Sequence, residues 1–362
     1  MVVHRLKVAQ VCNRYFPTIG GVQTHVKEIS ERLAKKGYNF QILTTDSTGK
    51  LSIEEKIGDV KVRRFKSFAP MNSFYFSCKM KQFLKQNSDQ YDIVHAHNFQ
   101  ALPILYAAQT KATNKLVITP HYHGHGHTFV SNLFYRPYRS IAKKIFEKSD
   151  MVICVSKSEK ALITDHFNIE EEKITIIPNG LNPEEFKQLK KQNKQNQTIL
   201  YVGRLEKYKG INYLLMALEK LDENIFLEIV GKGPMKKELI KLTKKLKISS
   251  RVIFHQELSR RDLLQSYSNA DLFVLLSRYE SYGIAVMEAL ASKTPCLVAK
   301  TSSLKDWIDN KNCFGINYPI DVKELANRIE TTIGKKVTEI KFTTWDDVAL
   351  KIEEVYKKVC VA

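Results

Sequence analysis

Glu280 and Glu288 stand eight positions apart in RYESYGIAVMEALA (278–291), with Tyr282 and Gly283 between them. Two acids at that interval are ordinarily unrelated surface groups. Here an apolar run, DLFVLLS (271–277), precedes them and another, PCLVA (295–299), follows, so the stretch reads as strand, loop, helix, strand. Gly283 lets the backbone turn sharply and approach a ligand closely. The N–H groups of the helical turn that opens near Ile284 lack partners within the helix and sit at the positive end of its dipole, which suits a phosphate. Glu280, ahead of that turn, can accept hydrogen bonds from sugar hydroxyls. Glu288, nearly two turns in, can take the paired hydroxyls of a ribose.

A second run, YVGRLEKYKG (201–210), carries Arg204 and Lys209 from a buried strand into the loop before a helix. Two fixed cations there can hold a diphosphate and stabilise the charge it gains on departure. Basic residues in a solvated loop are the ordinary alternative, and only the coupling to the 280–288 segment argues against it. In YFPTIGGVQTHVKEI (15–29), Gly20 and Gly21 lie between the first strand and its helix, the form of a phosphate-approach loop, although a bare Gly-Gly is a weak signal. His121, in TPHYHGHGHT (119–128), follows a strand end and is expected to face a ligand cleft.

The elements that must position these groups recur in two series. Strand candidates at 6–12, 39–45, 59–65, 92–97, 115–121 and 151–156 alternate with helical patterns, one of which (22–36) aligns Val22, Val26, Ile29 and Leu33 and stops at Gly37. The scheme repeats at 198–203, 225–231, 251–256, 271–277 and 295–299. Such alternation predicts an α/β protein with two Rossmann-like, doubly wound parallel-sheet domains. The polar, lysine-rich KQLKKQNKQNQ (187–197) reads as a linker or solvated helix end. Ligands in these folds bind at the carboxyl ends of strands, so the expectation is two domains facing across a cleft: 1–180 with a terminal helix from 345, and 181–344.

A chain of 362 residues can bury two cores. Its six cysteines form no C-x-x-C pair, and no signal peptide or membrane-length apolar run is evident, so the expected location is cytoplasmic. The net charge of +19 favours anionic surroundings: phosphate ligands, a membrane face or nucleic acid. No zinc-finger or RNP-type motif supports the last, and the two glutamates would repel it.

In order and spacing, GGVQTHV (with His25), YDIVHAH, TPH, VICVSKSEK, IIPNGLNPEEF, VGRLEKYKG, VGKGP and ESYGIAVME together resemble glycosyltransferase family 4, the retaining enzymes of the GT-B fold with an E-x7-E motif. The resemblance spans nearly the whole chain. It implies a metal-independent hexosyltransferase that moves a sugar from a UDP- or GDP-linked donor to a glycan or lipid-linked acceptor, with no cofactor beyond the nucleotide sugar. Under it, Arg204 and Lys209 hold the diphosphate, aided by the backbone near Gly283 and Ile284 and by Gly20 and Gly21. Glu280 binds the transferred sugar, Glu288 the ribose, and His121 the sugar near its C6 end. Gly231 in VGKGP and the HQEL stretch (255–258) frame the base, and Tyr282 completes the donor loop. The N-terminal domain takes the acceptor and the C-terminal one the donor. The departing phosphate takes the acceptor's proton, so no side-chain nucleophile is required.

Three departures fall where base and sugar are chosen: Gln256 where the family has glycine, Ala-Ser-Lys-Thr-Pro (291–295) for A-x-G-x-P, and TSSLKDWI (301–308) for a glycine-rich loop. The alternating His121, His123, His125 and His127, with His95 and His97 at a neighbouring strand end, allow a zinc site, which flexible Gly124 and Gly126 argue against. Residues 56–85 hold eight cations and one acid. A helix from about Ser73 would align Phe76, Met80, Phe83 and Leu84 opposite lysines, suited either to core packing or to peripheral contact with the inner membrane face, to which YRPYRSIAKK (135–144) could add. The rival to an enzyme is a catalytically weak homologue serving as a partner subunit or basic binding protein.

Overall fold

A computed structural model describes residues 6–70, 73–124, 129–192 and 195–361, with only the backbone of 129–137. It divides into two compact units, Met1–Gly180 with Thr343–Ala362, and Leu181–Phe342.

The first unit runs β1 (Lys7–Val11), α1 (Gly21–Lys35), β2 (Asn39–Asp46), β3 (Glu54–Ile57), β4 (Val60–Lys66), α2 (Cys78–Asn87), β5 (Ile93–His97), α3 (Leu102–Gln109), β6 (Lys115–Thr119), α4 (Phe129–Lys148), β7 (Met151–Cys154), α5 (Lys157–Phe167) and β8 (Ile174–Ile176). Its sheet has the order β3-β4-β2-β1-β5-β6-β7-β8 and is parallel except for β3, which pairs antiparallel with β4. The second unit runs α6 (Glu184–Lys187), β9 (Gln197–Val202), α7 (Ile211–Leu218), β10 (Ile225–Val230), α8 (Lys236–Lys245), β11 (Val252–His255), α9 (Arg260–Asn269), β12 (Leu272–Leu275), α10 (Ile284–Ala291), β13 (Cys296–Ala299), β14 (Cys313–Ile316) and α11 (Val322–Thr332). Its sheet, β11-β10-β9-β12-β13-β14, is parallel throughout the described residues. The α/β expectation therefore holds. The strands β3, β8 and β14, which sequence reading overlooked, are short, three or four residues each, and all edge their sheets.

The chain ends in α12 (Trp345–Val361), which belongs to the first unit. Val348, Ile352, Val355, Tyr356 and Val359 recur at helical spacing and are buried with Val26, Ile29 and Leu33 of α1. Each such side chain contributes about 1.5–3 kcal/mol of burial, enough to hold a terminal helix on its sheet. Gly180 is required beneath it: a Cβ there would stand 2.5 Å from the Trp345 amide nitrogen.

One expected element differs. The helix after β4 begins at Cys78, not near Ser73, because Ser77 caps it, its hydroxyl accepting from the Met80 N–H. Residues ahead of the cap form bridges instead, and Phe68 and Phe76 exchange two backbone hydrogen bonds of 2.9 Å. Phe76 consequently faces outward while Met80 and Leu84 enter the core.

Candidate donor site and histidine cluster

In the second unit the strand order reverses beside β9, flanked by β10 and β12, and folds of this kind bind ligands at the carboxyl ends of the strands beside such a reversal. The loop after β9 brings Arg204, a short turn over Lys207–Lys209 and then Gly210, whose φ of 71° starts α7. A Cβ at Gly210 would lie 2.8 Å from the Leu276 carbonyl, so only glycine lets this loop close on the one after β12. The Arg278 N–H donates to the Tyr208 carbonyl at 2.8 Å, fastening the two loops.

That closure joins two residues 71 positions apart: Lys209 Nζ donates to Glu280 Oε1 at 2.5 Å. Their side chains are 11% and 18% exposed. Burial works against the Lys209 ammonium, but the Glu280 carboxylate and Tyr208 outweigh it and hold its pKa above the usual lysine value. Arg204 is more open, 54% exposed, and pairs with Glu206 at 2.7 Å, while its carbonyl accepts from the Tyr201 hydroxyl. Lys209 and Glu280 thus meet just ahead of α10, at whose start Gly283 adopts φ 92°.

The divergent loop at 301–308 proves to be the support of this arrangement. The Ser302 hydroxyl accepts from the Glu280 N–H at 2.8 Å, and the Ser303 hydroxyl donates to the Glu280 carbonyl at 2.9 Å. The Trp307 indole N–H donates to the Tyr282 carbonyl at 2.7 Å. Ser302 does this at φ 38°, a conformation costly for any residue but glycine and compensated here by its hydroxyl contact. Tyr282 packs its ring edge-on against Trp307 and directs its hydroxyl towards the Met287 sulfur. Ile284 opens α10.

Glu288 lies in the second turn of α10, 13% exposed, and accepts from Arg260 Nη1 at 2.5 Å. Arg260 is the first residue of α9 and also pairs with Glu185 at 2.9 Å. Sequence reasoning missed Arg260; its one signal was a Ser-Arg-Arg-Asp cap after a strand end, with Ser259 accepting from the Asp262 N–H. At the end of β10, Gly231 backs onto Gly203, and a Cβ on it would fall 1.9 Å from the Gly203 carbonyl oxygen. His255 Nε2 lies 3.1 Å from Glu228, while Gln256 is exposed.

In the first unit the strand order reverses beside β1. Gly20 has extended backbone and heads α1 without any side-chain cap, leaving the helix start bare at Gly21. His25, one turn on, is buried, and its Nδ1 lies 2.7 Å from Asn179 Oδ1. His97, at the end of β5, places Nε2 2.5 Å from Gln10 Oε1. With His25 Nδ1 and His97 Nε2 donating to those acceptors, His25 Nε2 and His97 Nδ1 carry lone pairs, and both are buried without a hydrogen-bond partner among the described residues. His121, at φ 49°, joins them: the three rings offer ligand atoms within 4.8 Å of one another. The sequence pattern grouped His121 with its alternate neighbours and with His95 and His97; the fold keeps His97 beside it and adds His25 from α1. His125 and His127 lie outside the described residues.

Burial pushes all of these imidazoles down, His25 to about 4 despite the opposing Asn179 contact, and His95, His97 and His121 well below the ordinary value. His95 is held between the Tyr356 and Thr119 hydroxyls, each at 2.8 Å, so α12 reaches this network. Glu159 fixes the backbone after His121, accepting from the Tyr122 N–H at 2.5 Å and the Val155 N–H at 2.6 Å. Burial raises its carboxyl to about 8, against the pull of those two N–H groups.

Comparison with known proteins adds three findings. The family model for group 1 glycosyl transferases matches residues 182–342, and that for Glycosyltransferase Family 4 matches 19–185. The chain is 27% identical to a glycogen synthase of Mycobacterium tuberculosis, covering 91% of this chain and 86% of that one. It is 26% identical to an alpha-monoglucosyldiacylglycerol synthase of Streptococcus pneumoniae over 86% and 75% of the respective lengths. Among solved structures, a sucrose-phosphate synthase from Thermosynechococcus elongatus superposes with a TM-score of 0.81 at 20% identity, covering 99% of this chain and all of that one, which establishes the GT-B fold.

Proposed function

The chain belongs to glycosyltransferase family 4 and transfers sugar from a nucleotide donor, and from that premise we propose a retaining, metal-independent transfer of a hexose from a UDP- or GDP-sugar to a glycan or lipid-linked acceptor at the cytoplasmic membrane face. The observation that carries the reading is the Lys209–Glu280 pair beside the start of α10. A cation for the diphosphate and an acceptor for sugar hydroxyls are held against each other, so a donor that inserts its phosphate and hexose satisfies both. Arg204 adds a second, half-exposed cation, Glu288 the ribose contact, and His121, kept neutral, a hydrogen bond to the sugar. Gly20 and Gly21 offer backbone N–H groups to phosphate. Retention follows if the leaving phosphate itself takes the acceptor's proton on the face it departs from.

The membrane reading is supported by the cation-rich 56–85 stretch and by Phe68 and Phe76, 70% and 47% exposed, on the first unit. The S. pneumoniae relative, by its name, glucosylates a diacylglycerol. No helix among the described residues is long and apolar enough to cross a membrane, so contact would be peripheral.

The test is a thermal-shift screen of nucleotide sugars followed by donor turnover with and without a chelator, with the product anomer read by NMR. One nucleotide sugar should raise the melting temperature and be turned over equally in chelator with its anomeric configuration kept. Inversion, or turnover abolished by the chelator, refutes the reaction; donor binding without turnover favours the partner-subunit reading.

A further inference from the structure

In the first unit, a cavity of about 550 Å³ lies between the loop after β2, β4 and α2. Its apolar floor is formed by Leu51, Phe65 and Phe83, and Ile53 at its lip is 71% exposed. Lys79, Gln82, Phe83 and Gln86 line it at i, i+3, i+4 and i+7 along α2, so one stripe of the helix forms a wall while Met80 and Leu84 serve the core.

Four cations line this slot, of which Arg63 pairs with Glu54 and Arg64 with Glu55. Arg63 lays its guanidinium 4.5 Å over the Phe83 ring, and Lys66 and Lys79 flank the opening. Neither lysine makes an ion pair among the described residues. The single carboxylate in the lining, Asp46, is committed to its own loop: it accepts from the Thr48 N–H, the Thr48 hydroxyl and the Leu51 N–H. It therefore neutralises neither lysine. Two residues beyond Lys66, the exposed Phe68 is tied to Phe76, which extends apolar surface outward from the same end of β4.

We infer that this groove binds one hydrocarbon chain of an anionic lipid, with Lys66 and Lys79 holding its phosphate. An apolar floor under unpaired cations matches an amphiphile with a phosphate at one end, and a purely polar anion would leave the floor wet. The inference rests on the membrane-facing reading of this unit and goes beyond it by assigning one saturable site, separate from the His25–His97–His121 cluster.

Titration calorimetry on the full chain tests it, with dodecyl phosphate below its micelle concentration, dodecanol and inorganic phosphate as probes. Dodecyl phosphate should bind one to one and at least ten-fold more tightly than either of the others. Lys66→Glu with Lys79→Glu should weaken it at least ten-fold, and so should Gln82→Trp, which fills the groove from an exposed helix position and leaves the core intact. Circular dichroism confirms that both variants fold. Dodecyl phosphate binding no tighter than dodecanol, or unchanged binding in both variants, overturns the site. Sedimentation with phosphatidylcholine vesicles with and without phosphatidylglycerol separates the two readings. Wild-type protein that sediments with anionic vesicles yet fails to bind dodecyl phosphate refutes the groove alone. Protein that binds dodecyl phosphate but ignores vesicles refutes membrane contact and sustains the groove.

Discussion

Replacing Lys209 by Met should cost stability and donor affinity together, because it leaves Glu280 charged in a site only 18% exposed. Removing one partner of a fully buried pair costs about 3–5 kcal/mol; with partial exposure of both side chains, about 1.5–3 kcal/mol is expected. Glu280→Gln should cost less, since the amide oxygen still accepts from the ammonium at the same place. In the double variant K209M/E280Q no charge is stranded, so its loss should fall short of the sum of the single losses by about 1–2 kcal/mol. The raised pKa of Lys209 gives the sign of the pH effect. The pair's contribution is complete below the unfolded lysine value and fades only as pH climbs past the folded one, so a measurement at pH 7 reads the ionised pair. The assay is calorimetric melting of wild type, both single variants and the double, followed by titration with the nucleotide sugar found in the screen. Both single variants should bind that donor at least ten-fold more weakly. Additive stability losses, or K209M binding donor as wild type does, would refute the reasoning.

Three further outcomes follow from other contacts. Acid should destabilise the first unit. Its histidines bind protons less readily folded than unfolded, so they cost stability as pH falls from about 6.5 towards 4, the displacement of His25 from 6.5 to about 4 being worth about 3 kcal/mol. Glu159, raised to about 8, opposes them over the same fall; melts of Glu159→Gln that stay level across that window would contradict the histidine cost. Trp307→Phe removes the indole hydrogen bond to the Tyr282 carbonyl, which should raise the donor KM several-fold with a smaller effect on kcat; steady-state kinetics would show it, and an unchanged KM would deny Trp307 its supporting role. Gly231→Ala places a methyl 1.9 Å from the Gly203 carbonyl oxygen, backbone that cannot swing aside, so the second unit should lose more than about 3 kcal/mol; a wild-type melting profile would mean the strand ends are not packed as described.

The α/β class and eleven of the strand positions are written in local periodicity, because burial on both faces of a parallel sheet demands continuous apolar runs such as ILYV at 199–202 and LFVL at 272–275. Sequence also singled out the loops of Lys209 and Glu280, since a glycine-opened helix after a buried strand leaves its mark in neighbouring residues. It overran the start of α2, where a capping serine outweighed the apolar pattern ahead of it. What it could not reach were contacts made across distance. Arg260 on Glu288, Asn179 on His25 and the serines at 302 and 303 on Glu280 join segments 22 to 154 residues apart, and no local pattern encodes a hydrogen bond between such strangers. The loop at 301–308 shows the difference most plainly. By sequence it is a lapse from a glycine-rich pattern; in the fold, Ser302 accepts a strained φ and its hydroxyl secures the Glu280 backbone. Residue type and spacing determined which chemistry the chain carries. Only the sheets, by reversing strand order beside β9 and β1, decided which charged and polar groups meet and which are kept neutral by burial.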